Sequence, residues 1–374
     1  MLLLHLVAAA VLSFQSADQH LDSAREKLGE GDYDGAIEDF SKALTLDPKR
    51  TDAWAGRAKA QVHKGNAEAA VRDFTQAIDL NPGEIEHLYD RGEAYDTLAR
   101  NKEARADFLR ATRVPGDDPH CSRFRGLAFS ELGEYGKAIR EYDAAIAGVT
   151  DDARLYSFRA SARISAGDYR NAAKDLARAI ELSPNDAYGH FENGRLSEYT
   201  GDFKSAGEHY GRAIELDPQY AQAYYGRAVS KSYRGDHKGA VKDYSEALNL
   251  SPKWSAALHN RGLARANLGN HRTAIEDYSK AIELNPEFIE AYCNRGYARK
   301  ELGDEEGARA DFRKSIDLPT RVPHQMHYQA LAKEALGDVD GALKLYRQIL
   351  RESPEGSNSR QAARERISKL AAEF

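Results

Sequence analysis

The sequence predicts an all-α fold, a solenoid of antiparallel helix pairs closed by one further helix at its C-terminal end. Three observations predict it. A 34-residue unit, most legible as GNHRTAIEDYSKAIELNP from Gly269 to Pro286, returns along the chain without slippage. Near the middle of each unit a turn glycine precedes a residue able to cap a new helix. Small residues recur at two fixed positions and an aromatic at a third, a framework that a repeated packing contact needs and a loop does not. A chain of 374 residues also exceeds what one compact core holds, and the repeat decides for an array over separate domains.

Residues 1–17 stand outside the period. Leu2 to Phe14 reads LLLHLVAAAVLSF, thirteen residues with no charge, too short to span a bilayer comfortably and of the length of a signal-peptide core. Export is the expectation, to the periplasm or the exterior. An uncleaved membrane anchor and a cytoplasmic apolar cap on the first helix remain open, because no Lys or Arg precedes Arg25 and Gln15 fits a cleavage site poorly.

Ten units follow over residues 18–354, counted from Ala17, Thr51, Ile85, Pro119, Ala153, Ala187, Ala221, Ser255, Ile289 and Pro323. The fifteenth position is glycine in nine units, from Gly31 to Gly337, with Ala99 as the exception. Asp or Asn comes next in eight units, among them Asp32, Asn66, Asp202, Asn270 and Asp338, and each is expected to cap the second helix. Pro119 and Pro323 fall on the first helical position, where a missing N–H costs nothing. Position eight is Gly or Ala from Ala24 to Ala330, position twenty is Ala from Ala36 to Ala342, and position twenty-four is aromatic in every unit except that of Leu176. These are expected to be core.

Position seven is Arg in seven units (Arg57, Arg91, Arg125, Arg159, Arg227, Arg261, Arg295), and position twenty-three is acidic in eight. Where the unit has Asn193 it also has His209, and where it has Gln329 it has Leu345, so both members vanish together; only Ser23 with Asp39 breaks the match. The pattern predicts an Arg–carboxylate ladder fixing the register of each helix pair, in preference to a row of anion-binding arginines. After Pro354 the period stops. Residues 355–374 place Ala363, Ile367, Leu370, Ala371 and Phe374 on one helical face, as expected of a helix that covers the open end of the array.

At these residues the chain resembles the tetratricopeptide repeat family, from Ala17 to Pro354. The resemblance implies a right-handed superhelix of helix-turn-helix units. Two departures stand out: position eleven, usually aromatic, is basic in six units, including Lys27, Arg163 and Arg265, and the closing proline gives way to Gly116, Thr150 and Thr320. In this family the first helix of each unit lines an inner groove through its second, fifth, ninth, twelfth and thirteenth positions. Here those positions put Arg154, Tyr188, Phe191, Arg195, Tyr199, Tyr225 and Tyr233 inward in the fifth to seventh units, the residue types that dominate binding energy at interfaces. Glu86, Glu93 and Asp96 make the third unit acidic. The family's clamp for acidic C-terminal tails needs Lys at position five and Asn at position nine, and no unit has both; its asparagine ladder at position six survives only as Asn260 and Asn294.

Chemistry finds little purchase in this sequence. With 53 basic and 59 acidic side chains and a net charge of −6, the chain has no basic stripe for nucleic acid. It has no CxxC and no Gly-rich phosphate loop, and its closest approach to a metal pair is His324 with His327, which lacks a third ligand. Two cysteines, Cys121 and Cys293, lie five repeats apart and read as unpaired small residues. The expectation is a non-catalytic scaffold without cofactor that holds a protein or peptide partner in its groove. The alternatives are a part of a larger assembly bound through the convex face or the ends, and an enzyme whose site the sequence does not disclose.

Overall fold

The computed structural model describes residues 2–373, with side chains from 16 to 372. Among the described residues there are 21 helices and no strand. They form two compact bodies, Met1–Pro184 and Asn185–Phe374. Within each body a second helix packs against its own first helix and against the first helix of the next repeat. In the first body Ala67–Leu80 lies between Thr51–His63 and Ile85–Thr97, and in the second His237–Leu250 lies between Ala221–Tyr233 and Ser255–Asn267. A second helix followed by a further repeat of its own body is thus covered on two sides, and the core is a continuous layer within each body.

The break between paired helices follows from one residue. The glycines at position fifteen have φ between 74° (Gly133) and 86° (Gly337). That left-handed step lets Asp236 N–H reach back to Lys231 O at 2.9 Å while Gly235 N–H bonds Ser232 O at 3.0 Å, which satisfies the last carbonyls of the helix. Ala99 makes the same step at φ 56°, with Arg100 N–H on Tyr95 O at 2.9 Å. Its Cβ is strained there. Ala99→Gly should raise stability by about 0.5–1 kcal/mol in chemical denaturation, despite the added freedom of the unfolded chain.

Capping divides the Asp and Asn residues that the sequence treats alike. Asp32, Asp168, Asp202, Asp236, Asp304 and Asp338 each accept a hydrogen bond from the N–H three residues on. Asn66 and Asn270 do not, contrary to the expectation from sequence. A carboxylate offers two acceptors and a charge that the helix N-terminus favours, whereas an amide offers one acceptor and none of the charge. Asn66 turns its NH2 to Gln61 Oε1 at 3.0 Å, and Asn270 contributes only its backbone carbonyl, to Ala274 N–H and Thr273 Oγ1.

The small and aromatic positions meet as one contact. All ten position-twenty alanines are buried, and so are all the aromatics of position twenty-four. Tyr210 shows why glycine recurs beside them: a Cβ on Gly194 in its own repeat would lie 2.6 Å from the ring, and one on Gly226 in the next repeat 2.5 Å. The Tyr210 ring is therefore a wedge between one helix pair and the following first helix.

The arginine ladder is present and is more extensive than expected. Arg57, Arg91, Arg159, Arg261 and Arg295 grip Asp73, Asp107, Asp175, Asp277 and Asp311 through Nε and Nη2, at 2.6–3.0 Å; Arg227 holds Asp243 likewise, and Arg125 holds Glu141 through Nε alone. The basic residue at position eleven, which the sequence marks only as a departure from the family pattern, joins the same carboxylate: Arg163 on Asp175, Lys231 on Asp243, Arg265 on Asp277 and Arg299 on Asp311. In the first repeat Lys27 and Ser23 share Asp39. The remaining Nη1 often reaches the preceding repeat, as from Arg57 to Ser41, Arg91 to Thr75, Arg261 to Ser245 and Arg295 to Ser279. The arginines are committed to carboxylates and do not form an open anion-binding row.

At the N-terminal end one helix runs unbroken from Leu2 to Glu30, so the repeat register at Ala17 has no helix boundary of its own. The export expectation rests on side chains 1–15, which lie outside the described residues. No helix among the described residues is long and apolar enough to cross a membrane. At the other end Asn358–Glu373 packs on Pro323–Ala335 and Val339–Glu352, burying Ala363 and Leu370 with Ile367 against Met326, Tyr346 and Ile349. Ala371, expected on the same face, is exposed, and Phe374 lies outside the described residues. Arg360 Nη1 donates to Leu350 O and Ser353 O, satisfying the end of the last repeat.

Candidate partner-binding face

In the second body the first helices touch one another in series: Ala187–Tyr199, Ala221–Tyr233, Ser255–Asn267, Ile289–Glu301 and Pro323–Ala335. Their common face is tied across repeats by side chains. Asn260 Nδ2 donates to Tyr225 Oη at 2.8 Å, Asn294 Nδ2 meets His259 Nε2 at 2.9 Å, and Tyr297 Oη donates to Leu331 O at 3.1 Å. Both position-six asparagines therefore serve the framework. His259 is buried between Phe288 and Tyr278, and that burial pushes its pKa down to about 4, so it stays neutral at physiological pH.

On this face a cavity of about 490 Å³ opens, walled by Glu198, Tyr225, Val229, Tyr233, Asn260, Leu263 and Asn267. Tyr225 lies stacked on Trp254 with centroids 4.6 Å apart and edge-on to Tyr244 at 5.6 Å, which fixes its ring. Tyr233 is 69% exposed and lies flat on Phe203 at 4.2 Å, a rigid aromatic plate open to solvent. Glu198 accepts from Tyr210 Oη at 2.9 Å, and burial pushes its carboxyl pKa up. The result is an apolar hollow with two fixed rings, two amide side chains and one desolvated carboxyl group.

The seven residues singled out from sequence have separate fates. Tyr225 and Tyr233 wall the cavity, and Tyr199 is 56% exposed. Phe191 turns into the core, against Tyr210 at 5.6 Å and Tyr220 at 4.9 Å. Arg195 is held at 2.9–3.0 Å by the buried Glu192. Tyr188 is half-buried, and Arg154 is exposed on the first helix of the fifth repeat, in the first body. Sequence reasoning passed over Glu198, Val229, Leu263 and Asn267. All four occupy positions nine, twelve or thirteen, which the inward pattern already marks; none is the aromatic or arginine that draws attention at an interface.

In the first body the acidic third repeat is partly answered by its neighbour. Lys59 Nζ bonds Glu86 Oε1 at 2.6 Å and stands 3.6 Å from Asp90 Oδ2. Burial nevertheless pushes the Asp90 carboxyl up to about 6. Glu93 takes the hydroxyl of Tyr89 at 3.1 Å.

Of the groups considered for chemistry, His324 faces Glu290 at 3.8 Å, while His327 packs against Tyr328 and Tyr346. Both thiols are free, and burial pushes both pKa values up, Cys121 to about 11, which keeps them protonated and unreactive.

Paired helices, with a wedge aromatic and a turn glycine in nine of ten units each, define a helical-repeat protein. The chain belongs to the tetratricopeptide repeat family: models of that description match residues 21–85, 57–119, 89–153, 125–187, 159–221, 191–256, 289–320 and 326–356, and a TPR repeat model matches 266–303. No curated protein matches. Among solved structures, the human IFIT1 dimer with m7Gppp-AAAA is similar over 86% of this chain and 81% of that one, at 16% identity and a TM-score of 0.59. Yeast Tom70 covers 96% of each chain at 16% identity and a TM-score of 0.43. MamA covers 42% of this chain and 92% of its own at 25% identity and a TM-score of 0.41. The likeness to IFIT1 is one of fold.

Proposed function

We propose that this chain is a non-catalytic scaffold that holds an extended peptide segment of a protein partner against the first-helix face of its second body. The observation that carries the reading is the cavity walled by Tyr225, Tyr233, Leu263 and Asn267, because nearly every other large aromatic in the repeats is spent on packing while Tyr233 is fixed and open. A rigid aromatic beside an apolar hollow anchors a partner side chain at low entropic cost. The Asn267 amide and the Glu198 carboxyl supply hydrogen bonds to the partner's backbone or to a donor side chain.

Panning a random peptide library against the full chain tests this. The expected result is an enriched family of related peptides whose affinity falls about a hundredfold when Tyr233→Ala, Leu263→Ser and Asn267→Ala are combined, a loss of about 2.7 kcal/mol. These three side chains are exposed, so helicity should be unchanged. Equal binding by the triple variant would move the contact to the opposite face or the ends. Tight binding of a capped RNA oligomer in place of peptides would replace the reading altogether.

A further inference from the structure

We propose that the first body carries a divalent-metal site, of the borderline kind that zinc prefers, formed by Glu84, Glu86 and His120. One ligand atom from each lies within 4.8 Å of the others, the only such group of three among the described residues. His120 Nε2 stands 3.4 Å from Glu84 Oε1 and 3.8 Å from Glu86 Oε2. Three ligands bound to zinc at their usual distances sit about 3.4 Å from one another, so the Glu84–His120 edge already fits, the Glu86–His120 edge must close by about 0.4 Å, and the edge between the two carboxylates, within 4.8 Å, closes by rotation of partly exposed side chains.

Each ligand is presented by its place in the repeat. Glu84 stands at the position that caps the helix Ile85–Thr97, yet its side chain makes no capping hydrogen bond and faces His120 at the start of the fourth repeat instead. Glu86 is divided: Oε1 takes Lys59, which leaves Oε2 turned toward the imidazole. Pro119 starts the helix that carries His120, and the ring is steadied against Phe124 at 4.9 Å. All three side chains remain partly open to solvent, leaving room for water in the fourth position. The nearby Lys59 charge opposes a dication and sets the affinity well below that of a closed structural site.

The chain contains its own control. Glu290 and His324 occupy the same two repeat positions, six repeats further on, at the same 3.8 Å separation. The counterpart of Glu84 there is Phe288, so the later pair has two ligands where the earlier one has three.

Calorimetric titration of zinc chloride into the metal-stripped full chain tests the site, with the cobalt(II) spectrum as a second readout of imidazole and carboxylate ligation. One metal per chain is expected for the unaltered protein and for His324→Ala. His120→Ala and Glu84→Gln should each weaken it at least about tenfold, with helicity preserved. No binding tighter than millimolar, binding unchanged by either His120→Ala or Glu84→Gln, or binding lost with His324→Ala would overturn the assignment.

Discussion

Asp277→Ala is expected to cost about 3–5 kcal/mol, among the largest losses available to a single substitution in this chain. Its carboxylate is only 2% exposed and is held by Nε and Nη2 of Arg261 and by Nη1 of Arg265. Removing it strands two guanidinium groups between helices, and the penalty is that of unpaired buried charge more than of a lost attraction. Urea denaturation measures the loss, and hydrogen exchange should localise it to the eighth repeat, since a repeat array can open in part. The chain also shows how to remove the pair without the penalty. In the tenth repeat Gln329 stands in place of Arg and Leu345 in place of the acid, and the Gln329 amide donates to Ser315 O, Ile316 O and Leu318 O. Combining Arg261→Gln with Asp277→Leu should therefore recover the Arg261 share of the loss, while Arg265 stays without its carboxylate. A double variant as unstable as Asp277→Ala would mean that the ladder stabilises by more than mutual neutralisation.

Tyr210→Ala is expected to cost a similar 3–5 kcal/mol, because the ring fills the space between Gly194 and Gly226 and neither backbone can move in to replace it. Tyr210→Phe separates packing from hydrogen bonding. It keeps the wedge, removes the donor to Glu198 and should cost about 1 kcal/mol. It should also push the Glu198 carboxyl pKa further up, because the Tyr210 hydroxyl, ahead of the Arg195 charge, lowers it against burial. NMR titration of Glu198 reads that shift, and a carboxyl that titrates as before would show that the core ring does not set the charge in the cavity.

Much of this architecture is legible in the residues because it is repeated. A glycine needed for positive φ in nine units exposes the tenth, Ala99, as the same step made under strain. Paired loss of Arg and acid in the sixth and tenth repeats reveals a contact across sixteen residues that no single unit could disclose. What periodicity cannot show is orientation within a position. Asp236 and Asn270 both look like caps, and only the former acts as one. The basic residues at position eleven look like a surface feature because the shared carboxylate has a visible partner already. The binding face is hardest of all: Phe191 and Tyr225 share position five, but the first joins the core while the second walls a cavity, and the neighbours of each decide which.

The inter-repeat reach of the arginines has a mechanical consequence. Where a hydroxyl receives Nη1, as at Ser245 and Ser279, adjoining repeats are riveted by a directional bond as well as by packing. At the junction of the sixth and seventh repeats the corresponding residue is Gly211, and Arg227 has no side chain there to engage. Under tension applied through its ends, the second body should not stretch evenly, because that seam resists by packing without the directional arginine bond that its two C-terminal neighbours add.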